Sequence, residues 1–168
     1  MIGGNVLLKY SNILIPVKKC HESAVLPVQA AGDVGFDLSC VEDVTLLPGK
    51  TTKVSTGLMF AESIEPLIID NRISAVPFMK IEGRSGMAAN GIFPVGGILD
   101  PRYRGEIIVV LYNSTDSTIS YKRGSRIAQL VCYYTLATVS AHLNVKLIEV
   151  SETSESTRGS NGFGSTGI

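Results

Sequence analysis

Apolar positions in this chain recur in short runs, each closed by turn-forming residues. The runs NVLLKY (5–10), ILIPVK (13–18), GFDLSC (35–40), KVSTGLMF (53–60), ISAVPFMKI (73–81), EIIVVLYN (106–113), RIAQLVCYY (126–134) and NVKLIEV (144–150) are rich in β-branched and aromatic side chains. Pro48-Gly49, Asn113-Ser114 and Arg123-Gly124 fall between them as breakers. Many short strands at such spacing predict a sandwich or jelly roll rather than alternating strands and helices. IIVVLY (107–112) is apolar on both faces of a strand, the pattern of a central strand. One short helix is expected, over SGMAA (85–89). No segment repeats. After Val150 the composition changes to SETSESTRGSNGFGSTGI. This divides the chain into a β domain over 1–150 and a polar linker with a glycine-rich tail over 151–168.

Composition narrows the class. A chain of 168 residues with 45% hydrophobic and 18% charged residues reads as one globular domain with a core of its own. Formal net charge is zero, so anions must be bound by local clusters rather than by a general field, which argues against nucleic-acid coating. Cys20, Cys40 and Cys132 are odd in number and lack metal-ligand spacing, which suits reduced thiols inside a cell. His21 and His142 are isolated, which argues against a histidine-built metal site or triad. There is no signal-peptide pattern and no apolar run of membrane length, so no membrane role is expected.

Four stretches and the tail carry candidate chemistry. GRSGMAANG (83–91) places Arg84 and Ser85 between glycines at a helix start. A guanidinium fork, a hydroxyl and free backbone N–H groups suit phosphate oxygens, although a capped surface turn has the same composition. VGGILDPRYRGEI (95–107) begins with two glycines that permit a tight hairpin and close backbone approach to a ligand. Asp100 there is either a carboxylate that deprotonates a water or the opener of an Asp-Pro turn. In GSRIAQLVC (124–132), Gln129 is an amide within an apolar strand; it is satisfied by neighbouring backbone, the favoured reading, or aimed into a site. AAGDVGFDLSC (30–40) brings Asp33, read as a turn residue, and Asp37, which faces away from Phe36 and Leu38 on a strand. The tail RGSNGFGSTG (158–167) has the composition of a frayed terminus, yet it carries an arginine and an aromatic ring.

Taken in order, AGDVGFDL, GRSGMAANGI, GGILDPRYRGEI, RIAQL and RGSNGFGSTG resemble the five motifs of the trimeric dUTPases, deoxyuridine triphosphate nucleotidohydrolases. They span residues 31–167, nearly the whole chain. The resemblance implies an all-β jelly roll of the β-clip type with one short helix, assembled as a homotrimer with sites shared between subunits. It implies hydrolysis of dUTP to dUMP and pyrophosphate, with Mg²⁺ carried mainly on the triphosphate. Such a reaction limits uracil incorporation into DNA and supplies dUMP for thymidylate synthesis. It also implies roles. Asp100 activates the attacking water, and Arg158 grips the γ-phosphate. Tyr103 packs under the deoxyribose, and Gly97 and Ile98 read uracil through main-chain groups. Arg84, Ser85 and Gly86 hold phosphates from a neighbouring subunit, with Gln129 near the α-phosphate. Asp37 supports the metal through water. Phe163 stacks over uracil, while Gly164, Ser165 and Thr166 complete a tail that closes over substrate.

Some positions depart from the family pattern: Val34 before Gly35, Asn161 for a usual glycine, and Pro101-Arg102 beside Asp100. AESIEPLIIDNRIS (61–74) is longer than the family's usual hairpin and reads as a surface insertion with room for a partner. Two rivals stand beside hydrolysis. A dCTP deaminase of the same fold would need a glutamate where Val110-Leu111 stand. A dUTP-dependent regulatory binding protein would not need Asp100. The expected location is the cytoplasm or nucleus, of a host cell if the source is viral.

Overall fold

The computed structural model describes residues 14–70 and 73–138, with side-chain surroundings over 14–66 and 75–135. The expected strands at 5–10 and 144–150, the boundary at 150 and the tail lie outside the described residues.

Strands β1 (Val17–Lys19), β4 (Thr51–Phe60), β7 (Ile92–Pro94) and β9 (Glu106–Asn113) form one sheet in the order β1-β4-β9-β7. Strands β2 (Phe36–Ser39), β11 (Arg126–Thr138), β6 (Ile73–Glu82) and β5 (Leu67–Asp70) form a second, with β8 (Ile98–Leu99) also paired to β6. A small ribbon joins β3 (Val44–Leu46) to β10 (Ile119–Tyr121). Among the described residues every strand pair is antiparallel. The helix α1 (Ser85–Ala89) falls where SGMAA predicts it.

Core residues come from both large sheets. Leu38, Met79, Ile81 and Leu130 face Val54, Leu58, Phe60, Ile107, Val109 and Leu111 in one buried cluster. β9 is an interior strand, as its composition predicts, but its two faces differ. Ile107, Val109, Leu111 and Asn113 are fully buried, whereas Ile108, Val110 and Tyr112 are half-buried. Among the described residues the buried polar side-chain atoms are all satisfied. Asn113 Nδ2 donates to the Leu46 and Ser117 carbonyls at 3.0 and 2.8 Å, and Thr56 Oγ1 donates to the Ile107 carbonyl at 2.6 Å.

The insertion reading of 61–74 changes. Ile64 is 5% exposed and belongs to the core, and β5 pairs with β6 from Leu67↔Ala75 to Asp70↔Ile73. β6 follows a few residues downstream and takes this stretch as an antiparallel neighbour. The segment therefore widens the sheet instead of standing off it.

Candidate functional site

The glycine hairpin lies against β6. Gly96 and Gly97 both have positive φ, +74° and +106°, which only glycine adopts readily at the second position. The Gly97 carbonyl accepts from Ile81 N–H at 2.8 Å, and a Cβ on Gly97 would lie 3.0 Å from both Cβ and O of Ile81. The hairpin thus approaches β6 more closely than any side chain would allow. β8 extends that contact for two residues, Ile98 opposite Lys80 and Leu99 opposite Met79. Leu99 is buried while the Ile98 side chain is 65% exposed.

Asp100 follows directly. It is exposed, and among the described residues no hydrogen bond or ion pair engages its carboxylate. Its carbonyl accepts from Tyr103 N–H at 2.9 Å, so the backbone makes the turn that Asp-Pro predicts while the carboxylate stays available. The Tyr103 ring folds back over Gly105, and its hydroxyl donates to the Glu106 carbonyl at 3.0 Å. A Cβ on Gly105 would clash with that hydroxyl, so glycine at 105 is a condition of the tyrosine's placement. Asp100 also borders a cleft of about 370 Å³ shared with Ser63, Ile64, Glu65, Pro101 and Arg102. A larger cavity of about 420 Å³, bounded by Leu14, Leu26, Phe36, Phe60, Met79 and Leu130, is lined by no titratable group among the described residues.

A second cluster forms where β2, β11 and β6 run side by side. Register places Asp37, Gln129 and Glu82 in one row across three strands. Asp37 is held between two guanidinium groups: Arg84 Nε lies 2.8 Å from Oδ1, and Arg126 Nη1 lies 3.0 Å from Oδ2. Arg84 Nη1 also donates to the Arg126 carbonyl at 3.3 Å. Gln129 Nε2 donates to the Gly83 carbonyl at 2.9 Å, a backbone partner for a half-buried amide. Its Oε1 lies over Gly35, where a Cβ would be 2.2 Å away, so Gly35 is the seat of Gln129. Gln129 therefore fixes the backbone leading into Arg84. Arg84 occupies the N-cap position of α1 but makes no side-chain cap bond. Among the described residues no hydrogen bond takes the N–H of Ser85 or Gly86.

At the end of the row, Lys80 Nζ lies 2.6 Å from Glu82 Oε1 and holds the Glu82 carboxyl below its ordinary value. Tyr133 donates to the same oxygen at 2.9 Å, and that bond raises the phenol. Tyr133 stacks on Phe78 with centroids 5.7 Å apart.

Sequence reasoning reached Arg84, Ser85, Gly86, Gly97, Ile98, Asp100, Tyr103, Gln129 and Asp37 as candidates. The structure gathers them into two groups flanking β6, and among the described residues no side-chain hydrogen bond or ion pair joins the groups. Arg158, Phe163, Gly164, Ser165 and Thr166 lie outside the described residues. Arg126, Arg104 and Gly35 were not singled out as functional. Arg126 opens the motif RIAQL, which was the available signal; the partner it takes is 89 positions away.

Against known proteins, a dUTPase family model matches residues 21–167. The chain belongs to the dUTPase family. It is 40% identical over 159 residues to the deoxyuridine 5'-triphosphate nucleotidohydrolase of Wolinella succinogenes, covering 91% of this chain and 93% of that one. The corresponding enzyme of Paramecium bursaria Chlorella virus 1 is 36% identical over 154 residues, covering 90% and 96%. Among solved structures, a G164S mutant of Staphylococcus bacteriophage 80alpha dUTPase, determined with dUpNHpp, superposes with a TM-score of 0.72. It is 21% identical and covers 94% of this chain and all of that one. The native EIAV dUTPase gives a TM-score of 0.58 at 23% identity, over 84% of this chain and all of that one. The shared fold is the dUTPase jelly roll.

Proposed function

We infer that this dUTPase-family chain hydrolyses dUTP to dUMP and pyrophosphate, working as a homotrimer. The observation that carries the assignment is the exposed Asp100 carboxylate, which no hydrogen bond or ion pair engages among the described residues, at the end of a hairpin pinned to β6. Asp100 takes a proton from a water, whose oxygen attacks the α-phosphorus in line. The bond from that phosphorus to the bridging oxygen breaks, and pyrophosphate leaves with the electron pair. The chemistry asks the protein mainly for positioning and charge.

The hairpin at Gly97 and Ile98 presents main-chain groups to uracil. Tyr103, fixed over Gly105, covers the face where a 2′-hydroxyl would project. Arg84 with the N–H groups of Ser85 and Gly86 receives phosphates, and Gln129 acts by setting the backbone at Gly83. Arg158, Phe163, Gly164, Ser165 and Thr166 close over the bound nucleotide and add charge as the transition state develops. Among the described residues no side-chain hydrogen bond or ion pair joins the Asp100 and Arg84 groups within one chain, which accords with a site shared between subunits. The half-buried Ile108, Val110 and Tyr112 on the outer face of β9 support association as well.

Mg²⁺ neutralises triphosphate charge when bound. Among the described residues no cluster of three His, Cys, Asp or Glu side chains could hold an ion, and both oxygens of Asp37 are paired with arginine. Asp37 is the residue that would support the ion, through water, since its own oxygens are occupied by Arg84 and Arg126. The deaminase reading finds no support: Leu111 is fully buried in the core, and Val110 beside it is aliphatic. Nucleotide pools make the cytoplasm or nucleus the place of action, in a host cell if the source is viral.

The assignment is tested by Asp100→Asn. The amide cannot accept the water's proton, so single-turnover hydrolysis should fall by about a thousandfold while dUpNHpp still binds. Turnover within a few-fold of the parent would refute the role.

A further inference from the structure

We propose that Arg104 is a positioning residue that clamps the turn carrying Asp100 to segment 61–66. The proposal rests on the assignment of Asp100 as the catalytic base. β8 ends at Leu99, and no strand ladder supports the chain again until Glu106 begins β9. Two bonds close the intervening turn on itself or on the next strand: Tyr103 N–H to the Asp100 carbonyl, and the Tyr103 hydroxyl to the Glu106 carbonyl. Neither attaches the Asp100 side of the turn to the body of the domain.

That attachment comes from segment 61–66. Ile64 N–H donates to the Pro101 carbonyl at 3.1 Å, and Arg104 Nη2 donates to Ser63 Oγ at 2.7 Å. Arg104 Nη1 meanwhile donates to the Tyr103 carbonyl at 2.8 Å and, at 3.4 Å, to the Pro101 carbonyl. One planar guanidinium thus spans both sides of the turn and ties it to Ser63, which a flexible ammonium could not do in full. The segment can serve as an anchor because its Ile64 side chain is buried in the core and β5 continues it into the sheet. A continuous path then runs from core to Ile64 and Ser63, to Pro101 and Arg104, and so to Asp100. The bonds of Arg104 are solvent-exposed, so their loss costs the fold little. The position of a catalytic carboxylate tolerates much less, since a displacement of about 1 Å can cost about a hundredfold in rate.

The test compares Arg104→Ala, Arg104→Lys, Ser63→Ala and the Arg104→Ala/Ser63→Ala double variant in the full chain. Single-turnover hydrolysis of saturating dUTP, Kd for dUpNHpp and Tm are read for each. Arg104→Ala should lose about tenfold in rate with Kd within about twofold and Tm little changed. Ser63→Ala should lose about threefold, Arg104→Lys should recover part of the loss, and the double variant should be no slower than Arg104→Ala alone. A parental rate for Arg104→Ala, or a double variant whose loss is the product of the two single losses, overturns the clamp. Should Arg104→Ala fail to fold, Ser63→Ala decides: a loss at unchanged Kd supports the clamp, and a parental rate overturns it. Asp100→Asn run alongside separates the two ideas. If it is inactive while Arg104→Ala is parental, the clamp alone fails; if it is active, the base assignment fails and the clamp with it.

Discussion

Alanine at Gly97 and alanine at Gly96 should have unequal costs, although the two residues are neighbours in one hairpin. Both have positive φ, and forcing a side chain into such a backbone costs on the order of 1–3 kcal/mol. A Cβ on Gly96 meets nothing within 4 Å, so its cost ends there, at about 1 kcal/mol for a φ of +74°. A Cβ on Gly97 lies 3.0 Å from the Cβ and from the carbonyl oxygen of Ile81, and β6 is an interior strand with little freedom to retreat. Adding about 1–3 kcal/mol for overpacking to the higher cost of a φ of +106° gives about 4 kcal/mol for Gly97→Ala. At 2–4 °C per kcal/mol for a domain of this size, Tm should fall by about 12 °C, against about 3 °C for Gly96→Ala. Scanning calorimetry at matched protein concentration reads both, since association shifts Tm by mass action. KM for dUTP should rise in Gly97→Ala and stay near parental in Gly96→Ala. Equal Tm losses would refute the reasoning, because the close approach to Ile81 would then contribute nothing.

Tyr103→Ala should narrow the preference for dUTP over UTP, read as the ratio of kcat/KM values, since the ring over Gly105 is what denies room to a 2′-hydroxyl; an unchanged ratio places discrimination elsewhere. A chain ending at Thr157 should fold and trimerise, bind dUpNHpp more weakly, and lose far more in single-turnover rate than in binding. Arg158→Ala should reproduce much of that loss, and parental hydrolysis by the truncated trimer would leave the tail without a catalytic role.

The long strands and the helix were legible because each carries its own pattern. β9 coincides with EIIVVLYN, and α1 with SGMAA. β1 and β2, though short, overlap the longer runs ILIPVK and GFDLSC; β3, β5, β7, β8 and β10 were not legible, because such brief runs become strands through the partner they meet rather than through local periodicity. The same division holds for the site. Asp100, Tyr103 and the glycines before them are adjacent in sequence, so the hairpin could be inferred. The Asp37–Arg84–Arg126 arrangement joins residues from three separated elements, and no spacing rule reaches across such distances. Segment 61–74 was misjudged for a related reason. Its charged and turn residues suggest a surface insertion, whereas Ile64 is buried and β5 pairs with β6. The tail residues owe their assignment to the family motif alone, since glycine and serine carry no positional signal of their own.

One measurement reaches the central claim most directly: an equimolar mixture of dUTP, dTTP, dCTP and UTP incubated with Mg²⁺ and the parent protein in ¹⁸O-labelled water, with products identified by mass. The account predicts that dUTP is consumed far ahead of the others, that ¹⁸O appears in dUMP, and that the released pyrophosphate is unlabelled, as attack on the α-phosphorus requires. Label in the pyrophosphate, comparable consumption of another nucleotide, or conversion of dCTP to dUTP with release of ammonia would contradict it.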